Sequence, residues 1–265
     1  MNKYLVIGNP IEHSLSPKLH NFWFKANNIQ AVYDKKKLSK DEIQNFILDI
    51  KKNKINGLNV TVPFKKDVIQ YLDELSHEAK VTQSVNTIYF KEEKIIGHNT
   101  DIEGFELGIK QSKFDLTNKK VFILGAGGVV PSIIFALNKM NIDEIIVSNR
   151  TKNKANDLKN TFNNLKIIDW GEVPEFDMII NATSLGLNND DKINLNFSKV
   201  GKNKIFYDII YNPAETNFLK EGKKLGNITE NGATMFIYQA VQAFKLWHGV
   251  EPKVNFETLK LLKND

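Results

Sequence analysis

The sequence predicts an α/β protein of two domains. Apolar runs of strand length alternate with helical patterns from end to end, the signature of parallel strand–helix–strand units. At 265 residues with 42% apolar content the chain is long enough to bury two cores. No Pro- or Ser-rich tether separates the halves, so the boundary is expected within Asp101–Asn118, inside a helix and its exit.

In chain order, Tyr4–Gly8 (YLVIG) reads as a first strand, and Pro17 opens a helix to about Ala26. Residues 31–38 (AVYDKKKL) read as a second strand. Ile43, Phe46, Ile47 and Ile50 recur at helical spacing across Asp41–Lys52. Leu58–Val62 (LNVTV) is a third strand stopped by Pro63. VNTIYF and IIGHN, separated by Lys91–Lys94, form a hairpin-like pair, and a helix follows from Asp101 to Gln111. The second half restarts with KKVFILGAGG, a buried strand entering a glycine turn, then a helix to about Met140. EIIVSNR, MIINATS and IFYDII supply three more strands, and Thr234–His248 and Phe256–Leu262 two closing helices. The expected division is residues 1–101, completed by C-terminal helices about 240–265, and residues 102–239.

Composition removes several classes of function. There is no cysteine, hence no disulfide frame, thiolate nucleophile or thiolate-bound zinc. His13, His20, His77, His98 and His248 lack metal-ligand spacing, so no metal is expected. The net charge of +5 is spread over mixed surfaces with no basic helix interleaved with aromatics, which argues against nucleic acid. No apolar run reaches membrane-spanning length, and MNKYLVIGNPIEHS is too short in its apolar part for a signal peptide. A cytoplasmic protein, monomeric or homodimeric, acting on a small molecule is expected.

Gly125-Ala126-Gly127-Gly128 follows a strand and opens a helix, the setting a dinucleotide loop requires. Gly125 permits the tight turn, and Gly127 lets the backbone approach a pyrophosphate at the helix start. The second half therefore reads as a Rossmann-type dinucleotide-binding domain, beside an N-terminal α/β substrate domain. The next strand ends in Ser148-Asn149-Arg150-Thr151, with Lys154 one turn later. Arg150 is the one arginine among 36 basic residues. A carboxylate at this place would bind the ribose 2′-hydroxyl of NAD. A guanidinium with its fork of donors suits a 2′-phosphate instead, so NADP(H) is the expected cofactor.

A ketone reduced by hydride needs a proton donor near its oxygen. Tyr33-x-x-x-Lys37 matches a tyrosine–lysine pattern used for that purpose, but it precedes the glycine loop and is read as accidental. Better candidates follow the first-half strands: Ser14 and Ser16 before a helix, Asn59, Thr61 and Lys65 in NVTVPFK, Asn86, and Asp101. Hydroxyls, amides, an ammonium and a carboxylate are what a small polyhydroxy acid needs. Taken singly, Ser16 or Asp101 reads equally well as a helix N-cap, and nothing in the spacing selects Lys65 over Lys66.

Together the stretches NPIEHSLSP, GLNVTVPFK, VNT, GHNTD, GAGG, NRT, NATSLG, DIIYNPAET and GATMFIYQA resemble the shikimate dehydrogenase family across nearly the whole chain. The resemblance implies NADPH-dependent, reversible reduction of 3-dehydroshikimate to shikimate, on the route to chorismate and the aromatic amino acids. It implies Lys65 and Asp101 as the catalytic pair, with Ser14 and Ser16 holding a carboxylate. Asn59, Thr61, Asn86, Asp101 and Gln239 would hold ring hydroxyls, and Tyr211 would line the substrate side. For the cofactor it implies Gly125, Ala126, Gly127, Gly128, Val129, Asn149, Arg150, Thr151 and Lys154, with Thr183 and Ser184 near ribose and phosphates and Ile209 and Gly232 flanking the nicotinamide. Val130-Pro131, Lys154 and Phe236 depart from the family's usual residues. An NAD-linked quinate/shikimate dehydrogenase and a catalytically silent NADP-binding sensor are the alternatives. With no room for a further domain, a stand-alone enzyme is expected rather than a dehydratase fusion.

Overall fold

A computed structural model describes residues 1–262; the end of the expected C-terminal segment, residues 263–265, lies outside the described residues. The chain divides into two compact units, Met1–Gly104 with Ile237–Asp265, and Phe105–Phe236. The divisions fall inside helices, a few residues from the expected 101/102 and 239/240.

The first unit carries β1 (Asn2–Gly8), α1 (Ser16–Ala26), β2 (Ala31–Lys37), α2 (Ile43–Lys51), β3 (Gly57–Val60), β4 (Glu74–Leu75), α3 (His77–Thr82), β5 (Thr87–Lys91), β6 (Lys94–His98) and the start of α4 (Asp101–Gln111). Its sheet runs β2-β1-β3-β5-β6-β4. The first three strands are parallel, and β5 runs antiparallel to β3 and β6. Alternation along the strands supplies two faces. Leu5, Ile7, Leu58 and Val60 pack on Ile43, Ile47 and Ile50 of α2. On the other face Tyr4 and Tyr33 meet His20 and Phe24 of α1. β3 stops at Val60, two residues short of expectation, and Thr61 N–H still donates to the Ile7 carbonyl at 2.9 Å.

The second unit carries β7 (Lys120–Leu124), α5 (Val130–Lys139), β8 (Glu144–Ser148), α6 (Lys152–Asp157), β9 (Leu165–Ile168), β10 (Met178–Asn181), β11 (Ile205–Asp208), α7 (Asn217–Lys224) and β12 (Ile228–Glu230). All six strands are parallel in the order β12-β11-β10-β7-β8-β9. Fully buried runs such as VFIL and MIIN are what a parallel sheet covered on both faces demands. Then α8 (Ala233–His248) and α9 (Phe256–Lys260) close the chain. Among the described residues no helix is long and apolar enough to cross a membrane.

In the first unit, α8 brings Phe244, Trp247 and His248 onto the aromatic face of the sheet. Burial pushes the His20 pKa down to about 3, so this ring packs as a neutral aromatic. Trp247 donates to the Ile88 carbonyl at 3.2 Å and lies directly over Gly57. A Cβ on Gly57 would sit 2.5 Å from the Trp247 indole and 2.7 Å from the Tyr4 ring. Gly57→Ala is therefore expected to destabilise the protein by about 1–2 kcal/mol through overpacking, read as a lower urea midpoint.

Candidate active site

The turn after β3 fixes Lys65 from both sides. Phe64, buried, donates its N–H to the Thr61 carbonyl at 3.0 Å, and the Lys65 carbonyl accepts from Val85 N–H at 2.8 Å. With its backbone pinned, the Lys65 side chain turns inward. Its Nζ lies 2.5 Å from Asp101 Oδ2, and the two side chains are 11% and 9% exposed. Lys66 next to it is exposed. Among the described residues Lys65 is the one buried lysine.

Asp101 begins α4, where the helix dipole favours a carboxylate. It does not spend its oxygens capping that helix. Oδ2 takes Lys65, and Oδ1 accepts from Asn86 Nδ2 at 2.9 Å. Asn86 Oδ1 accepts from Thr100 N–H at 2.7 Å, and Thr87 and Thr100 hydroxyls lie around the same oxygen. Gln239 Oε1 stands 3.5 Å from Asn86 Nδ2. Asn59 completes the network, its Nδ2 donating to the Asn86 carbonyl and to Thr87 Oγ1, each at 3.0 Å. A buried carboxylate whose second oxygen is met in this way holds its ammonium partner in one geometry.

Ser16 is not the N-cap of α1 either; Leu15 holds that place without a side-chain bond. Ser14 Oγ donates to Ser16 Oγ at 3.3 Å and accepts from Ser16 N–H at 3.4 Å, so two hydroxyls lie together at the helix start. Thr61 is half-buried, and its methyl fills the space over Gly8. Tyr211 belongs to the second unit, where its ring stacks on Phe236 at 4.2 Å. The Tyr33-x-x-x-Lys37 pattern does not form a pair: Tyr33 is buried, while Lys37 is exposed and bridges to Glu12 at 3.2 Å.

In the second unit the residues expected to hold a dinucleotide follow the carboxyl ends of β7, β8, β10, β11 and β12, where open α/β sheets bind ligands. Gly125 has φ +112°, and a Cβ there would lie 2.8 Å from the Ala182 carbonyl. A Cβ on Gly127 would meet no atom nearer than 4.0 Å, so its absence leaves backbone open to a ligand. Ala126 is half-buried and Gly128 exposed, Val129 is the N-cap position of α5, and Pro131 falls harmlessly in its first turn. Arg150, Thr151 and Lys154 are exposed beyond β8, with Asn149 Nδ2 donating to the Thr151 carbonyl at 2.8 Å. Gly232 admits no side chain, since a Cβ would fall 2.0 Å from the Ile209 carbonyl oxygen. An open glycine cradle at a helix start, beside a lone exposed guanidinium, fits a phosphate-bearing dinucleotide.

The loops carrying Thr183, Ser184 and Ile209 are tied together by Asp208, buried at the end of β11. Asp208 Oδ1 accepts from Asn181 Nδ2 at 3.1 Å and Ile210 N–H at 3.0 Å, and Oδ2 accepts from the Thr216 hydroxyl at 2.6 Å. Asn181 Oδ1 in turn takes the Thr183 N–H and hydroxyl. Burial, the largest influence, pushes the Asp208 pKa up to about 6 from 3.8, against the pull of its three donors. A carboxyl whose folded pKa is raised contributes stability that is full below the unfolded value and lost as pH rises through about 6. The stability of the protein relative to its Asp208→Asn variant should therefore fall between pH 4 and pH 6 in thermal melts. A difference that stays flat across that window would refute the raised value.

Residues 6–88 match the family model for the shikimate dehydrogenase substrate binding domain, 108–210 that for shikimate / quinate 5-dehydrogenase, and 232–255 that for the shikimate 5'-dehydrogenase C-terminal domain. Over 259 residues, 98% of either chain, the sequence is 59% identical to a shikimate dehydrogenase (NADP(+)) of Pelagibacter ubique. The chain belongs to the shikimate dehydrogenase family. Among solved structures, the shikimate dehydrogenase of Aquifex aeolicus superposes with a TM-score of 0.92 at 34% identity, covering 100% of this chain and 98% of its own. That of Thermus thermophilus, in complex with NADP(H) and shikimate, gives 0.90 at 29% identity, covering 99% and 98%. The two-domain α/β architecture is thus that of shikimate dehydrogenases.

Some members of these networks escape a reading of the sequence one residue at a time. Tyr33 falls within an accidental pattern, and Thr87 and Thr100 are ordinary strand and turn residues in isolation. Asn181, Asp208 and Thr216 stand inside the motifs NATSLG and DIIYNPAET, which is the one signal that could have singled them out.

Proposed function

We propose that the chain catalyses the reversible, NADP-linked interconversion of 3-dehydroshikimate and shikimate, with Lys65 and Asp101 as its catalytic pair. The observation that carries this reading is the buried Lys65–Asp101–Asn86 network in a chain of this family. Ser14 and Ser16 bind the substrate carboxylate through their paired hydroxyls. Asn59, Thr61, Asn86, Asp101 and Gln239 hold ring hydroxyls, and Tyr211 lines the substrate. The glycine loop, Asn149–Thr151, Lys154, Thr183, Ser184, Ile209 and Gly232 hold NADP(H), which when bound supplies the hydride to the carbonyl carbon or receives it back. Lys65 Nζ gives a proton to the oxygen as negative charge grows there, and in the oxidative direction takes it from the substrate hydroxyl. Asp101 keeps that ammonium oriented through its 2.5 Å contact, and Asn86 keeps Asp101 in place. The carbonyl gains one hydride and one proton, which accounts for the alcohol.

The purified protein with shikimate or quinate, each against NADP⁺ or NAD⁺, tests this directly by formation of reduced nicotinamide. Turnover confined to shikimate with NADP⁺ is expected. Preference for quinate or NAD⁺ moves the protein to the NAD-linked alternative, and silence in all four from folded protein that binds NADP⁺ leaves the sensor.

A further inference from the structure

We propose that Tyr33 is a positioning residue for substrate binding, its buried hydroxyl fixing Asn59 and, through Asn59, the Asn86 segment beside the catalytic pair; this deepens the shikimate reading and rests on it. Tyr33 lies in β2, one of the two edge strands of its sheet, and is the one residue of that strand that is buried. Its hydroxyl reaches past β1 to donate to Asn59 Oδ1 at 2.7 Å. An edge strand is free to shift, yet this residue is held on three sides. Asn21 of α1 donates from Nδ2 to the Tyr33 carbonyl at 2.8 Å and accepts the Tyr33 N–H at 2.9 Å. His20, one residue earlier, stacks on the Tyr33 ring at 4.3 Å with the planes 3° apart.

The orientation of the Asn59 amide follows from the chemistry of its partners. The Asn86 carbonyl only accepts, so it must face Nδ2, which also donates to Thr87 Oγ1. Oδ1 then faces Tyr33, whose hydroxyl must be the donor. Both amide hydrogens are engaged and one lone pair of Oδ1 is taken. What Asn59 can still offer is its second lone pair, which suits a substrate hydroxyl that donates. Without the Tyr33 hydroxyl a buried Oδ1 loses its donor while Nδ2 stays held by the Asn86 carbonyl and Thr87, so the amide is fixed from one end only and its oxygen is no longer aimed at the substrate hydroxyl. Asn86 is the residue that holds Asp101 Oδ1.

Because a ring-hydroxyl contact is made in ground state and transition state alike, its loss should appear mainly in KM. Tyr33→Phe is expected to raise the shikimate KM by about tenfold, change kcat less than about threefold, and leave the NADP⁺ KM unaltered. In an Asn59→Ala background the same substitution should add less than about twofold, since the contact it orients is already gone. A merely structural role would lower the melting temperature and the active fraction without moving the shikimate KM. An unchanged shikimate KM in folded Tyr33→Phe, or fully additive effects with Asn59→Ala, overturns the proposal. If Tyr33→Phe does not fold, Asn21→Ala reads the same chain from the other end: it keeps the hydroxyl but frees the strand. A rise of about threefold in shikimate KM is expected there, again absent in the Asn59→Ala background, and no rise overturns the proposal. Failure of the parent protein to turn over shikimate would instead sink the functional reading, before any variant is compared.

Discussion

Lys65→Ala is expected to lower kcat for shikimate oxidation by about 10³-fold, the middle of the range for losing a positioned general acid–base. Two losses combine. The proton acceptor disappears, and Asp101 keeps its Asn86 contact but loses its ammonium partner at 2.5 Å. Removing one member of a buried ion pair costs up to about 3–5 kcal/mol of stability when the other charge is stranded. Asp101 keeps the Asn86 donor and the helix start, so the loss should fall below that range. Fold and chemistry are separable by experiment: thermal melting reports the first, and NADP⁺ binding reports whether the second unit is intact. A folded variant that binds NADP⁺ normally and turns over at a near-normal rate would remove Lys65 from the mechanism. Asp101→Asn should act in the same direction with a smaller effect, because the amine remains but is no longer held.

That Lys65 rather than Lys66 is the candidate shows where local sequence stops being informative. The two are adjacent and chemically identical, and the choice is made by contacts from elsewhere: Phe64 sinks into the core, and Val85, twenty residues on, fixes the Lys65 carbonyl. The same holds for Ser16 and Asp101, which read equally as helix caps until their partners are in view. What the sequence does carry plainly is whatever is set over a few residues. KVFILGAGG announces both a buried parallel strand and its glycine turn, since period, composition and turn chemistry agree there. β9 and β12 leave weaker marks, being edge strands of four and three residues with partly exposed side chains. Tyr33 is legible only as a false pattern. Its role depends on a hydrogen bond spanning 26 positions, from an edge strand across β1 to β3. The single arginine is the opposite case, a position that composition alone makes conspicuous.

Arg150→Ala is expected to weaken NADP⁺ binding by about 30–100-fold and NAD⁺ binding by less than about threefold. A hydrogen bond to a charged group contributes about 1.5–3 kcal/mol, and a planar guanidinium can make two to one phosphate. The neighbours cannot replace it. The Asn149 amide already donates to the Thr151 carbonyl at 2.8 Å, and Lys154 offers a point charge from the first helical turn beyond. Arg150→Lys should accordingly recover only part of the loss. Because Arg150 is exposed, the difference between the two nucleotides should narrow as salt rises, which loss of a buried packing contact would not do. Titrating both nucleotides into both variants at low and high ionic strength separates these cases. Equal losses for NADP⁺ and NAD⁺ would mean that Arg150 supports the nucleotide through something common to both, such as the adenine face, and the preference for a 2′-phosphate would then have to come from Lys154.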